Sequence, residues 1–139
     1  LNKISKKRRT FFKNTDIVLS SPANRALHTA QLMMRELDYD YNKLIVDRKL
    51  YTFFTDDLID YVHGLNNTWN KVILVGHNPA IADLISALVP PDHNSKDLAI
   101  LRNKYPTGAL AFLKLNIFKW NELTPNCGCL KAFLRPRDI

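Results

Sequence analysis

Asp16-Ile17-Val18-Leu19-Ser20-Ser21-Pro22-Ala23-Asn24-Arg25-Ala26 is the stretch on which the fold turns. A short apolar run ends on Ser-Pro, a pair that favours a helix start. Serine can cap free N–H groups, and the fixed φ of proline suits the first helical position. Apolar residues then recur at helical spacing, at Ala26, Ala30, Met33, Met34 and Leu37. The design is a buried strand running straight into a helix. It returns at Lys71–Gly76, almost continuously apolar and so expected to be covered on both faces. Asn78-Pro79 opens the helix that follows, with Ile81, Leu84, Ile85 and Leu88 inside.

The rest of the chain fits around these two units. Leu44-Ile45-Val46-Asp47 reads as another short strand. Thr55 is expected to cap a helix carrying Asp56 and Asp57 in its first turn, where the dipole favours acids, with Leu58, Ile59, Val62 and Leu65 inward. Pro90-Pro91 stops the helix after Pro79, and a polar helix is expected over Ser95–Arg102. Alternation at Ala109–Ile117 and Leu130–Leu134 predicts two late strands, joined by a loop with Trp120, Pro125 and Gly128. Strands alternating with helices predict an α/β fold: three layers, a mostly parallel sheet with helices on both faces.

Length and composition agree. The 139 residues, 46% hydrophobic and 24% charged, suit one soluble domain and exclude disorder, a collagen-like chain or a disulfide scaffold. No apolar run nears the roughly 18 residues of a membrane span. The net charge of +7 is uneven. Lys3, Lys6, Lys7, Arg8, Arg9 and Lys13 fall in a segment without an acid, and the rest of the chain is nearly balanced. A nucleic-acid-binding domain would spread its basic residues over a folded face, so the expectation is no nucleic-acid partner and no membrane. Cys127 and Cys129 lack the further ligands of a structural zinc site and read as reduced thiols of a cytoplasmic protein. A signal peptide is not expected from the start, and residues upstream of Leu1 are expected.

The chemistry is expected where the two strand-to-helix units end. In a parallel sheet both lie at the carboxyl edge, where open α/β folds bind ligands. Helix N-termini there offer free N–H groups and partial positive charge to an anion. Arg25 adds a planar fork that can donate two parallel hydrogen bonds to a phosphate, and His77 adds a side chain that can be cationic. Alone, Arg25 reads as a solvated surface residue and His77 as a hydrogen-bonded structural one. At equivalent ends of two strands they point to an oxyanion pocket, for phosphate above other anions. His28, His63 and His93 are expected at the surface.

Ser20-Ser21-Pro22-Ala23-Asn24-Arg25-Ala26 with Thr29-Ala30 resembles a phosphate-site segment of the histidine phosphatase (phosphoglycerate-mutase-like) superfamily, and Val75-Gly76-His77-Asn78-Pro79 resembles its second histidine motif. Tyr105-Pro106-Thr107-Gly108-Ala109, Trp120-x-Glu122-Leu123, the ending Phe133-Leu134-Arg135-Pro136-Arg137-Asp138 and Leu1-Asn2 are similar to the small bacterial SixA-type branch, which acts on phosphohistidine. The resemblance covers essentially the whole chain. It implies a phosphohistidine phosphatase working through a phosphohistidine enzyme intermediate, without metal or cofactor. Arg25 and His77 are the implied catalytic and phosphate-binding residues, with Asn78 a further phosphate-binding candidate whose other role is to cap the next helix.

Two departures qualify it. The family nucleophile is a histidine in an Arg-His pair on the first strand, and no Arg is followed by His in this sequence. That strand is therefore expected to be missing from this chain, leaving a gap in the core. Nor is there a clear general acid: Leu50-Tyr51 is followed by Thr52, and Asp56 and Asp57 are explained by the helix start. An imidazole leaving group tolerates this better than an alkoxide, which needs a proton. The expected partner is a phosphorylated protein, met by a monomer. The rivals are a small general phosphomonoesterase, a non-catalytic binder of phosphate or phosphoprotein, and, more weakly, a nucleic-acid contact through Lys6-Lys7-Arg8-Arg9.

Overall fold

The computed structural model describes residues 9–91, 96–103 and 109–134. Strands β1 (Ile17–Ser20), β2 (Leu44–Val46) and β3 (Val72–Val75) form a parallel sheet in the order β2-β1-β3. Helix α1 (Asn24–Glu36) follows β1, α2 (Thr55–His63) follows β2 and α3 (Ala80–Leu88) follows β3. Helix α4 (Lys96–Asn103) precedes an antiparallel pair, β4 (Leu110–Leu115) with β5 (Gly128–Leu134). The elements expected from the sequence are present. The Lys6-Lys7-Arg8 part of the basic cluster, His93, Ser95, Tyr105–Gly108 and Arg135–Asp138 lie outside the described residues.

Strand alternation explains the three layers. Ile17, Leu19, Val72 and Leu74 pack with Leu58 and Val62 of α2 and Leu84 and Leu88 of α3. On the opposite face Val18, Ile73 and Val75 meet Ala30 and Met34 of α1. Strand β4 also reaches both helical layers. Its Phe112 packs on Phe12 and Met33 near α1, whereas Leu113 and Leu115 reach the α2 and α3 side. Ring centroids of Phe11 and Phe12 lie 4.7 and 4.9 Å from that of Phe112, which ties β4 to the first face.

β3 differs from the expectation of a strand covered on both faces: all four of its residues are half-buried. The reason is topological. β3 ends its sheet, and β4 pairs only with β5, so no described strand bonds to the outer edge of β3. Between β3 and β4 opens a cavity of about 1030 Å³, walled by both strands and by side chains of α1 and α3. The Lys71 and Val75 carbonyls accept from Asp16 N and Ser21 N. Peptide groups alternate in direction along a strand, so those of Val72 and Leu74 face away from β1, toward the cavity.

The helix starts also depart from expectation. Helix α1 begins at Asn24, with Ala23 rather than Ser21 in the capping position. Ser21 Oγ accepts from Ala23 N at 3.3 Å but is bonded also to a residue across the sheet, described below. Phe54, not Thr55, precedes α2, because the Thr55 hydroxyl donates instead to the Ala80 carbonyl and joins α2 to α3. Cys127 and Cys129 carry free thiols. No helix among the described residues is long and apolar enough to cross a membrane.

Candidate anion site at the carboxyl edge

The register of β1 and β3 brings the two strand-to-helix units together. Ser20 pairs with Val75, so Ser21 and Gly76 leave the sheet side by side, and Ser21 N donates to the Val75 carbonyl at 3.0 Å. In the first turn of α1 stands Arg25, and just past β3 stands His77; both line the cavity between β3 and β4, as does Asn78. Arg25 is exposed, and its guanidinium has no hydrogen bond or ion pair among the described residues. A planar donor fork left free at a helix N-terminus suits an oxyanion.

His77 is held from two sides. Its Nε2 lies 2.8 Å from Ser21 Oγ, a contact between the two motifs. Ser21 Oγ already accepts from Ala23 N, so its own proton can be donated to Nε2 of the neutral ring. That tautomer carries its proton on Nδ1, which is left to donate to a bound oxygen. On its other side the ring packs against Tyr51 and Phe53, at centroid distances of 5.0 and 5.7 Å. Burial holds its pKa below the ordinary value, so the ring is neutral at pH 7. Asn78 does what its place before a helix suggests: its Oδ1 accepts from Ala82 N at 3.3 Å, in the first turn of α3.

The other residues singled out in the sequence lie elsewhere. Asp56 and Asp57 stand in the first turn of α2, and Asp57 accepts from the Thr52 hydroxyl. His28 is exposed on α1, as expected. His63 is a correction: it is half-buried, with Nε2 2.8 Å from the Leu123 carbonyl, and ties the end of α2 to the Trp120–Glu122 turn. Sequence reasoning misses Ser21 as the partner of His77, and it misses Tyr51 and Phe53 altogether. The signal is present for the aromatics, since Leu50-Tyr51-Thr52-Phe53 places both rings on one side of an extended segment.

The lowered pKa of His77 sets a pH dependence. A bound dianion favours the charged ring and raises its pKa, so binding takes up a proton. Affinity should therefore rise as pH falls through the bound-state value and level off below the lowered free value. Sulfate is the clean probe, since it does not itself titrate there. Calorimetry between about pH 8 and pH 5 should show sulfate binding strengthening by about tenfold toward acid, roughly the effect of one added charge contact. His77→Gln should bind sulfate with no such trend; a trend that persists would assign the proton elsewhere.

The sequence matches no family model and no curated protein. Solved structures do match. A provisionally named phosphohistidine phosphatase SixA from Nakamurella multipartitia is 22% identical, with a TM-score of 0.69 over 88% of this chain and 71% of that one. A similarly named SixA protein from Agrobacterium tumefaciens is 26% identical, with a TM-score of 0.64 over 88% of this chain and 69% of that one. With the parallel β2-β1-β3 sheet between helical layers, these neighbours show the chain to have the phosphoglycerate-mutase-like fold of the SixA-type histidine phosphatases.

Proposed function

We propose that this chain carries the phosphate-binding part of a protein phosphohistidine phosphatase, with Arg25 clamping the phosphoryl group and His77 donating to one of its oxygens. The observation that supports this most is the position of both residues at one edge of a sheet, lining an apolar cavity that runs beside β3. A nucleophilic histidine would come from an extended Arg-His segment upstream, seated in that cavity parallel to β3. Its carboxyl end would then emerge beside Ser21 and His77. The imidazole nitrogen of that segment attacks phosphorus, and the bond from phosphorus to the substrate imidazole breaks. Water then releases phosphate from the enzyme histidine. Cationic and N–H donors around the transferring group do the electrostatic part, with no metal or cofactor in the scheme.

The substrate follows from the leaving group. Among the described residues no acid lines the cavity beside Arg25 and His77, and Asp57 is engaged by Thr52 in the first turn of α2. A phosphoramidate needs that acid least. The reading therefore takes a phosphorylated protein as partner, acted on by a cytoplasmic monomer. A second reading has its own support: the sequence contains no Arg-His pair, and a site of Arg25, His77 and Asn78 can bind phosphate without one. That protein would be a phosphoprotein binder without turnover.

Matched phosphohistidine and phosphoserine peptides, given to the chain extended upstream by an Arg-His strand, test the proposal. The expected result is release of phosphate from the phosphohistidine peptide at least about tenfold faster, the handicap of an unassisted alkoxide. Equal rates would make it a general phosphomonoesterase. Binding without release from either would leave the binder.

A further inference from the structure

Resting on that reading, the inference concerns what surrounds the leaving group. Large aromatic side chains are ordinarily buried, yet Tyr51 is 56% and Phe53 49% exposed beside the anion site. Their rings form a cluster with His77, Tyr51 and Phe53 standing edge to face at 6.1 Å. Phe53 lines the same cavity as Arg25 and His77, and Tyr51 and Phe53 both line the adjoining groove.

The outward rings are fixed rather than loose. From Leu50 to Phe53 the segment alternates: Leu50 is fully buried in the core and Thr52 is buried, so Tyr51 and Phe53 are turned out together. Thr52 Oγ1 donates to Asp57 and accepts from Phe54 N, which pins the backbone on either side of Phe53. Upstream, the Asp47 carboxylate accepts from Lys49 N and from the Tyr61 hydroxyl, and Tyr51 N donates to the Arg48 carbonyl. Both rings are thus presented from a braced turn, and the entropic cost of ordering them is met in the fold.

We infer that Tyr51 and Phe53 form an aromatic platform that selects substrates whose phosphoryl group is carried on a planar ring, the imidazole of phosphohistidine in this reading. A ring one bond from a phosphorus held by Arg25 and His77 comes within stacking range of these side chains, and the aliphatic arm of phosphoserine offers no face to stack. Stacked aromatic pairs are worth roughly two- to tenfold in affinity beyond the area they cover.

Binding to the chain as it stands tests this without requiring turnover. The probes are inorganic phosphate, a phosphoserine peptide, phenyl phosphate, and the same peptide with a triazolyl phosphonate, a stable mimic of phosphohistidine. In the native sequence the triazolyl peptide should bind roughly two- to tenfold tighter than the phosphoserine peptide. Tyr51→Leu with Phe53→Leu keeps apolar bulk but removes the rings; it should bring that ratio to about one, and because both rings also pack on His77, each affinity is read against that for inorganic phosphate in the same variant. An undiminished ratio in the double variant overturns the platform. A gain confined to phenyl phosphate supports the platform but overturns the phosphohistidine reading. Failure of every probe, inorganic phosphate included, overturns both.

Discussion

Arg25→Ala should weaken the binding of inorganic phosphate by roughly a hundredfold or more. A guanidinium bonded to a phosphate through two parallel N–H groups makes two charge-assisted hydrogen bonds, each worth about 1.5–3 kcal/mol. The fold should not notice the change. Arg25 is exposed, bonds to nothing among the described residues through its side chain, and alanine is the better helix former in α1. The melting temperature should therefore stay within about 1 °C, which separates loss of a ligand contact from loss of structure. Arg25→Lys should recover part of the affinity, because the charge remains but the fork does not. Titration of phosphate against the three proteins, followed by calorimetry, reads the series. Equal affinity in native and alanine proteins would return Arg25 to the solvated surface.

How far the sequence goes is visible in these residues. Strand-to-helix junctions are legible because a strand's apolar run and a helix's periodic stripe are local signals. Ile17–Ser20 and Val72–Val75 fall inside the expected spans, and so does α1 with its stripe of Ala26, Ala30, Met33 and Met34. Pairing the two junctions requires only that the strands be parallel. The roles of single polar atoms are not legible. Ser-Pro announces a cap at Ser21, but the Ser21 hydroxyl is drawn across the sheet to His77, a choice set by residues 56 positions apart. Thr55 in the same way leaves its helix start for the Ala80 carbonyl. His63 looks like a surface residue because nothing in its own helix reveals Leu123, which lies 60 positions further along the chain. The spacing of Tyr51 and Phe53 turns both rings to one side, but only the fold sets them beside His77.

The largest effect is expected from filling the cavity. β3 offers the Val72 and Leu74 peptide groups to whatever lies beside it, and Leu113 and Leu115 of β4 and Leu84 and Leu88 of α3 line the same space. A strand rises about 3.3 Å per residue, so a peptide of roughly six apolar residues can run the length of β3 and end in Arg-His at the anion site. Such a peptide, added in trans at about a hundredfold excess over its dissociation constant, stabilises the folded chain by about 2.7 kcal/mol. For a domain of this size that is a rise of roughly 6–12 °C in melting temperature. Amide exchange gives the location. Val72 and Leu74 should become protected, whereas Ile73 and Val75, whose peptide groups turn to β1, should change little. Turnover of a phosphohistidine peptide should appear with the Arg-His peptide and be absent when its histidine is alanine, although both peptides raise the melting temperature alike. If neither peptide protects Val72 and Leu74, the cavity does not accept a strand and the proposed source of the nucleophile falls. If both bind and neither confers turnover, the nucleophile is not what the site lacks, and Arg25 and His77 serve a protein that holds phosphate without releasing it.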